Sequence, residues 1–136
     1  MKESEFRSKL LSVFNSAHNP GAFIWAHDAH FRSGFPDLYW VFPGSPYPHH
    51  AELKVVKRNE TLPADPMTLC TKIQRYIMGK MAKTSAKVYL IVLHEQKSGS
   101  RNVILLPLHS GEASSTQNYD AFMRWWATLP NMIFKA

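Results

Sequence analysis

A chain of 136 residues has the length of one ordinary domain, and a hydrophobic share of 45% excludes a disordered tail. One cysteine, Cys70, excludes an internal disulfide and a cysteine-rich zinc site, and no apolar run is long enough to cross a membrane. Sixteen Lys and Arg against ten Asp and Glu leave a formal charge of +6 and a pI near 9.6. That balance favours a polyanionic partner, although many small soluble proteins are basic for no such reason. The first residues lack the apolar run of a secretory signal, so an intracellular protein is expected.

In chain order, residues 3–15 read as an amphipathic helix, with Phe6, Leu10, Val13 and Phe14 at helical spacing. Asn19-Pro20-Gly21 ends that segment. Residues 22–27 are aromatic and β-branched, which predicts a strand, and a polar loop follows to Gly34. Residues 37–42 form the second predicted strand. Three prolines before His49 then predict a stiff connection rather than a tight two-residue hairpin. Residues 51–56 are the third strand.

After a polar loop, Thr71-Lys72-Ile73-Gln74 matches a capping box, which predicts a helix from there to about Lys83. Asp65-Pro66 is a rival start. Residues 87–94 make the most apolar strand, expected near the centre of the sheet, and residues 102–108 a fifth strand. Ser115 or Thr116 is the expected cap of a last helix through Trp126. In a helix the adjacent Trp125 and Trp126 cannot both be buried on one face. The order α-β-β-β-α-β-β-α predicts a single α/β (α+β) domain, with a mixed central sheet flanked by helices.

Three polar residues break this apolar pattern. Asp37 sits where a loop enters the second strand, and fifteen residues later Glu52 and Lys54 occupy positions i and i+2 of the third. Period-two alternation points Glu52 and Lys54 to one face, with Leu53 and Val55 on the other. Charged groups on an apolar strand are costly unless paired or used. If the strands are neighbours, Asp37 and Glu52 converge on one hard cation, and Lys54 stands beside a phosphate or its attacking water. A solvated surface pair with a turn aspartate is the plainer reading of Glu-x-Lys taken alone.

Ser33-Gly34-Phe35-Pro36-Asp37-Leu38, then Glu52-Leu53-Lys54-Val55, then Thr71-x-x-Gln74 at a helix start, together resemble the PD-(D/E)XK nuclease superfamily. Within it the likeness is greatest to the virus-type replication-repair nuclease (VRR-NUC) domains, which are similar in turn to Holliday-junction resolvases. The resemblance covers about residues 3 to 94. It implies a restriction-endonuclease-like fold and Mg²⁺- or Mn²⁺-dependent hydrolysis of DNA, by an endonuclease responsive to branches or flaps.

It places metal-binding carboxylates at Asp37 and Glu52, a catalytic lysine at Lys54 and a glutamine at Gln74. It also implies a glutamate of the first helix, where Glu3 is preferred to Glu5 because it shares the face of Phe6 and Leu10 and so points inward. Two features depart from the family: a long connection from Lys57 to Cys70, and no familiar motif from Ser110 onward.

Arg32, Ser33, Lys57, Arg58, Lys72 and Arg75 are candidates for DNA contact, or else a solvated face. His27, His30 and His49-His50 lack the spacing of a zinc site, and His27, His30 and Arg32 are better read as candidates for phosphate contact. A homodimer is a further expectation, because two symmetric cuts need two sites. The competing reading is a non-catalytic nucleic-acid-binding module on the same fold.

Overall fold

The computed structural model describes residues 1–17, 19–27 and 34–132. Its centre is a six-stranded mixed sheet in the order β1-β2-β3-β4-β5-β6, made of β1 (Phe23–Ala26), β2 (Leu38–Phe42), β3 (Ser45–Val56), β4 (Lys87–Glu95), β5 (Arg101–Pro107) and β6 (Ser115–Asn118). Neighbours pair antiparallel except β3 and β4, which are parallel. That pair needs a crossover, and α2 (Lys72–Met81) supplies it. The fold is α+β, as its strand and helix pattern predicted.

Each face of the sheet has its own core. On one, α1 (Glu3–Asn15) and α3 (Tyr119–Thr128) bury Phe6, Leu10, Phe14, Phe122 and Trp126 against Trp40, Leu53, Ile91 and Val103. On the other, Met78 of α2 and Cys70 pack against Val56, Val88, Leu90 and Val92. Strand β4 is therefore covered on both sides, which is why its sequence is apolar without alternation. Trp126 is fully buried while Trp125 is half-buried, the division that two adjacent helical tryptophans require.

Three local expectations are corrected. Pro43-Gly44 does form a tight two-residue connection, with Phe42 pairing Ser45, so β3 begins six residues before the predicted strand. Trp40 pairs His49, so three residues, Pro46-Tyr47-Pro48, face the single Val41. Two prolines without N–H groups cannot continue a ladder, and the chain bulges there instead. Gly44 is needed at the turn because a Cβ there would collide with the Met132 backbone.

At the other end, Ser115 and Thr116 do not cap a helix. They lie in β6, whose register pairs Ser115 with Leu105, and the cap is Asn118, whose side chain accepts from the Ala121 N–H at 2.8 Å. Asp65-Pro66 starts only a short 3₁₀ turn (Pro66–Leu69), whereas Thr71 and Gln74 form the complete capping box of α2. No helix among the described residues is long and apolar enough to cross a membrane.

His49 lies buried between rings, stacked on Trp40 at 5.2 Å and on Phe42 at 5.1 Å. Burial, with the positive charge of neighbouring His109, Lys87 and His50, lowers its pKa to about 4. A depressed histidine pKa stabilises the fold above about 6.5, and that stability is lost as pH falls through about 4. The free energy of unfolding should therefore drop over that window. His49→Phe, which extends the stack, should shrink the drop by up to about 3 kcal/mol, and an unchanged pH profile would show that His49 is not its source.

Candidate active site

Asp37 directly precedes β2, and one further step of the Leu38–Ala51 register sets it opposite Glu52. The alternation of β3 turns Ala51 and Leu53 into the α1/α3 core and leaves Glu52 and Lys54 on the α2 side. The Leu53 N–H donates to Asp37 Oδ2 at 3.0 Å, so a backbone group holds that carboxylate in place. Asp37 contributes a second bond through its carbonyl, which accepts from the His27 N–H at 2.9 Å.

Glu52 is only 3% exposed. Its Oε2 accepts from Gln74 Nε2 at 2.9 Å and stands 3.6 Å from Lys54 Nζ. Gln74 is held at its other end by the helix cap, because its Oε1 accepts from the Thr71 N–H at 2.9 Å. One residue thus completes the capping box and positions the buried carboxylate. Glu52 Oε1 is buried and has no hydrogen-bond donor among the described residues.

The pKa of Glu52 is raised to about 8. Burial is the largest cause, followed by the charge of Asp37, against which Lys54 works; a hydrogen bond to Asp37 and the more distant Glu3 raise it further. Two carboxylates this close resist ionising together unless a cation joins them.

The donor set fits a hard divalent cation. Asp37 and Glu52 offer oxygens only, and Mg²⁺ is commonly held by one or two carboxylates, with water and phosphate completing its shell. Glu52 Oε1, which no donor reaches among the described residues, is the atom such an ion would satisfy. Among the described residues no group of three or more His, Cys, Asp or Glu side chains stands in metal-holding geometry.

The remaining sequence candidates divide by position. Glu3 is exposed rather than turned inward, because only Phe6, Leu10 and Phe14 of α1 are buried; it lines a groove with Val55, Lys57 and Glu60. Glu5 lies in a separate groove with Ser8, Lys9 and Ser12. Lys57, Arg58, Lys72 and Arg75 are exposed, the first pair just beyond β3 and the second in the first turns of α2. Arg32, Ser33 and His30 lie outside the described residues.

Two further residues border the site, and neither pattern nor spacing placed them there. Cys70 is close enough for the charges of Lys54, Glu52 and Asp37 to act on it, yet burial dominates and raises its thiol to about 11, which leaves it a packing residue. Gly34 has φ +84°, and a Cβ on it would collide with Ile73, so the chain leading to Asp37 passes tightly against the start of α2. The glycine in the Gly-Phe-Pro-Asp run was the available signal for that approach. Compared with known proteins, the chain matches no family model, no curated protein and no solved structure.

Proposed function

We propose that this protein is a metal-dependent nuclease of the PD-(D/E)XK type, hydrolysing DNA phosphodiester bonds with Mg²⁺ or Mn²⁺ held by Asp37 and Glu52. The observation that carries the reading is the convergence of Asp37, Lys54 and Gln74 on one buried carboxylate, one oxygen of which receives no donor among the described residues. A structural Glu52–Lys54 ion pair would not need a second carboxylate beside it.

When bound, the cation supplies a water of lowered pKa and stabilises charge on the phosphoryl oxygens. The chain's own residues do the rest. Asp37 is tethered to the Leu53 backbone and Glu52 to Gln74, so both carboxylates are held in orientation before substrate arrives. Lys54 offers a positive group to the scissile phosphate or the attacking water, with Glu52 limiting its freedom. DNA is the partner this chemistry and the +6 charge favour, in an intracellular setting, and a homodimer would supply paired cuts.

The test is cleavage of linear, nicked, single-stranded and branched DNA with Mg²⁺, Mn²⁺ or Ca²⁺. Mg²⁺ and Mn²⁺ should support cutting. Ca²⁺ should support binding with little cutting, because it takes more ligands in looser geometry. Lys54→Ala should lose about 100-fold or more of the activity, yet keep the rise in melting temperature on adding Mg²⁺, since an ammonium is no ligand. DNA binding with no cleavage under any of the three ions would favour the binding-module reading instead.

A further inference from the structure

The sheet's α2 side is covered unevenly. The cluster under α2 draws on β3, β4 and β5 and on no residue of β1 or β2 among those described. Strand β1 buries Ile24 in the α1/α3 core and turns Phe23 and Trp25 to the open side, where they are 52% and 51% exposed. Trp25 pairs Tyr39, and Tyr39 pairs His50, so alternation brings their side chains to the same face as Glu52 and Lys54.

The rings there fall into two touching groups on one face. Phe23 meets Tyr39 edge-on at 6.4 Å, Tyr39 meets His50 at 5.1 Å, and Trp25 meets His27 at 5.2 Å. A short edge strand that needed only solubility would carry charge or proline on that side, because exposed aromatic groups at an edge invite association. These two strands carry flat, half-exposed rings instead, beside the candidate active site.

Resting on the nuclease reading above, we propose that this aromatic face is a stacking platform for unpaired bases, so that the substrate is a single-stranded or locally opened DNA strand. Aromatic rings take bases by their faces, without regard to sequence. In a duplex those faces are already stacked on one another, and only edges and phosphates are offered.

The placement suits one strand. Two strand spacings and one two-residue step separate Trp25 from Glu52, a distance of about 12 Å, within the span of a few nucleotides. Beyond Asp37 the path continues past Gly34, packed against Ile73, to the exposed Lys72, Arg75 and Tyr76 at the start of α2. Bases would lie on β1 and β2, the backbone would cross the two carboxylates, and cations would meet it on the far side.

The experiment measures binding to the full chain in EDTA, which keeps it independent of cleavage. The probes are a short fluorescein-labelled oligodeoxythymidine and a duplex of equal length at the same salt, followed by anisotropy and by tryptophan fluorescence. The single strand should bind more tightly and quench tryptophan emission. The double variant Phe23→Ala/Trp25→Ala should bind it about 10-fold more weakly while duplex affinity is unchanged, and Trp25→Phe, which keeps a flat ring, should retain most of the affinity.

Equal or tighter binding of duplex, or equal loss on both probes, would overturn the platform. So would a wild-type dimer in sedimentation equilibrium that the double variant dissociates, which would make this face a contact between copies. Single-strand binding lost selectively in the double variant, in a protein that cuts nothing with Mg²⁺ or Mn²⁺, would leave the platform standing and remove only the nuclease.

Discussion

Glu52→Gln should abolish cleavage and at the same time make the metal-free protein more stable at neutral to alkaline pH. The amide keeps the shape and the place beside Gln74 but carries no charge, so the cation loses a ligand. Activity should fall by more than about 100-fold, since even the outer partners of metal ligands are worth ~10–100-fold. The stability gain follows from the pKa of about 8. A carboxyl raised above its ordinary 4.5 contributes stability that is fully present below that value and is lost as pH rises through about 8.

In EDTA the wild type should accordingly be less stable to unfolding at pH 8.5 than at pH 5, by an amount of order a few kcal/mol, and Glu52→Gln should flatten that slope. Mg²⁺ should raise the wild-type melting temperature more at the higher pH, because it binds the ionised carboxylate and displaces the proton. Asp37→Asn should share the loss of activity, its side-chain oxygen still accepting from the Leu53 N–H. Full activity in either variant would sink the site. Loss of activity together with a large fall in melting temperature would mean that these residues hold the fold instead.

Trp126→Ala should be the most destabilising single change in the α1/α3 core, at about 3–5 kcal/mol. Trp126 is fully buried, its indole N–H donates to the Leu10 carbonyl at 2.8 Å, and its ring meets Trp40 edge-on at 5.0 Å and Phe14 at 5.9 Å. Removing it opens a cavity where α1, α3 and the sheet meet, and a loss of that size is a large part of an ordinary domain's margin. Trp126→Phe should fall between, keeping much of the packing but no bond to Leu10. Chemical denaturation checks the order. A Trp126→Ala protein as stable as wild type would show that α3 does not close this core.

Some of this was local and therefore legible in one dimension. Period-two alternation put Glu52 and Lys54 on one side of a strand before any partner was known. The Thr71-x-x-Gln74 box marked the start of α2 because a helix cap is satisfied within four residues. Strand β4 announced its burial by lacking polar positions, and the helical spacing of Phe6, Leu10 and Phe14 marked the buried face of α1.

Other features depend on partners distant in sequence. Strand β6, Ser-Thr-Gln-Asn, has no apolar alternation to read, and it extends because the backbone of β5 offers it a ladder. The Pro43-Gly44 hairpin needed knowledge that Pro46 and Pro48 could be absorbed in a bulge. The exposure of the β1 rings depends on how far α2 reaches across the sheet, which no local run of sequence reports.

Sequence alone determined which residues carry charge and which side of their own strand they occupy, since backbone geometry decides that within a few residues. Tertiary structure alone decided that Asp37 stands against Glu52 and that Gln74, 22 residues away, closes on the same carboxylate. Register and helix docking set those approaches, and both are settled by the packing of the whole sheet rather than by any local run of the chain.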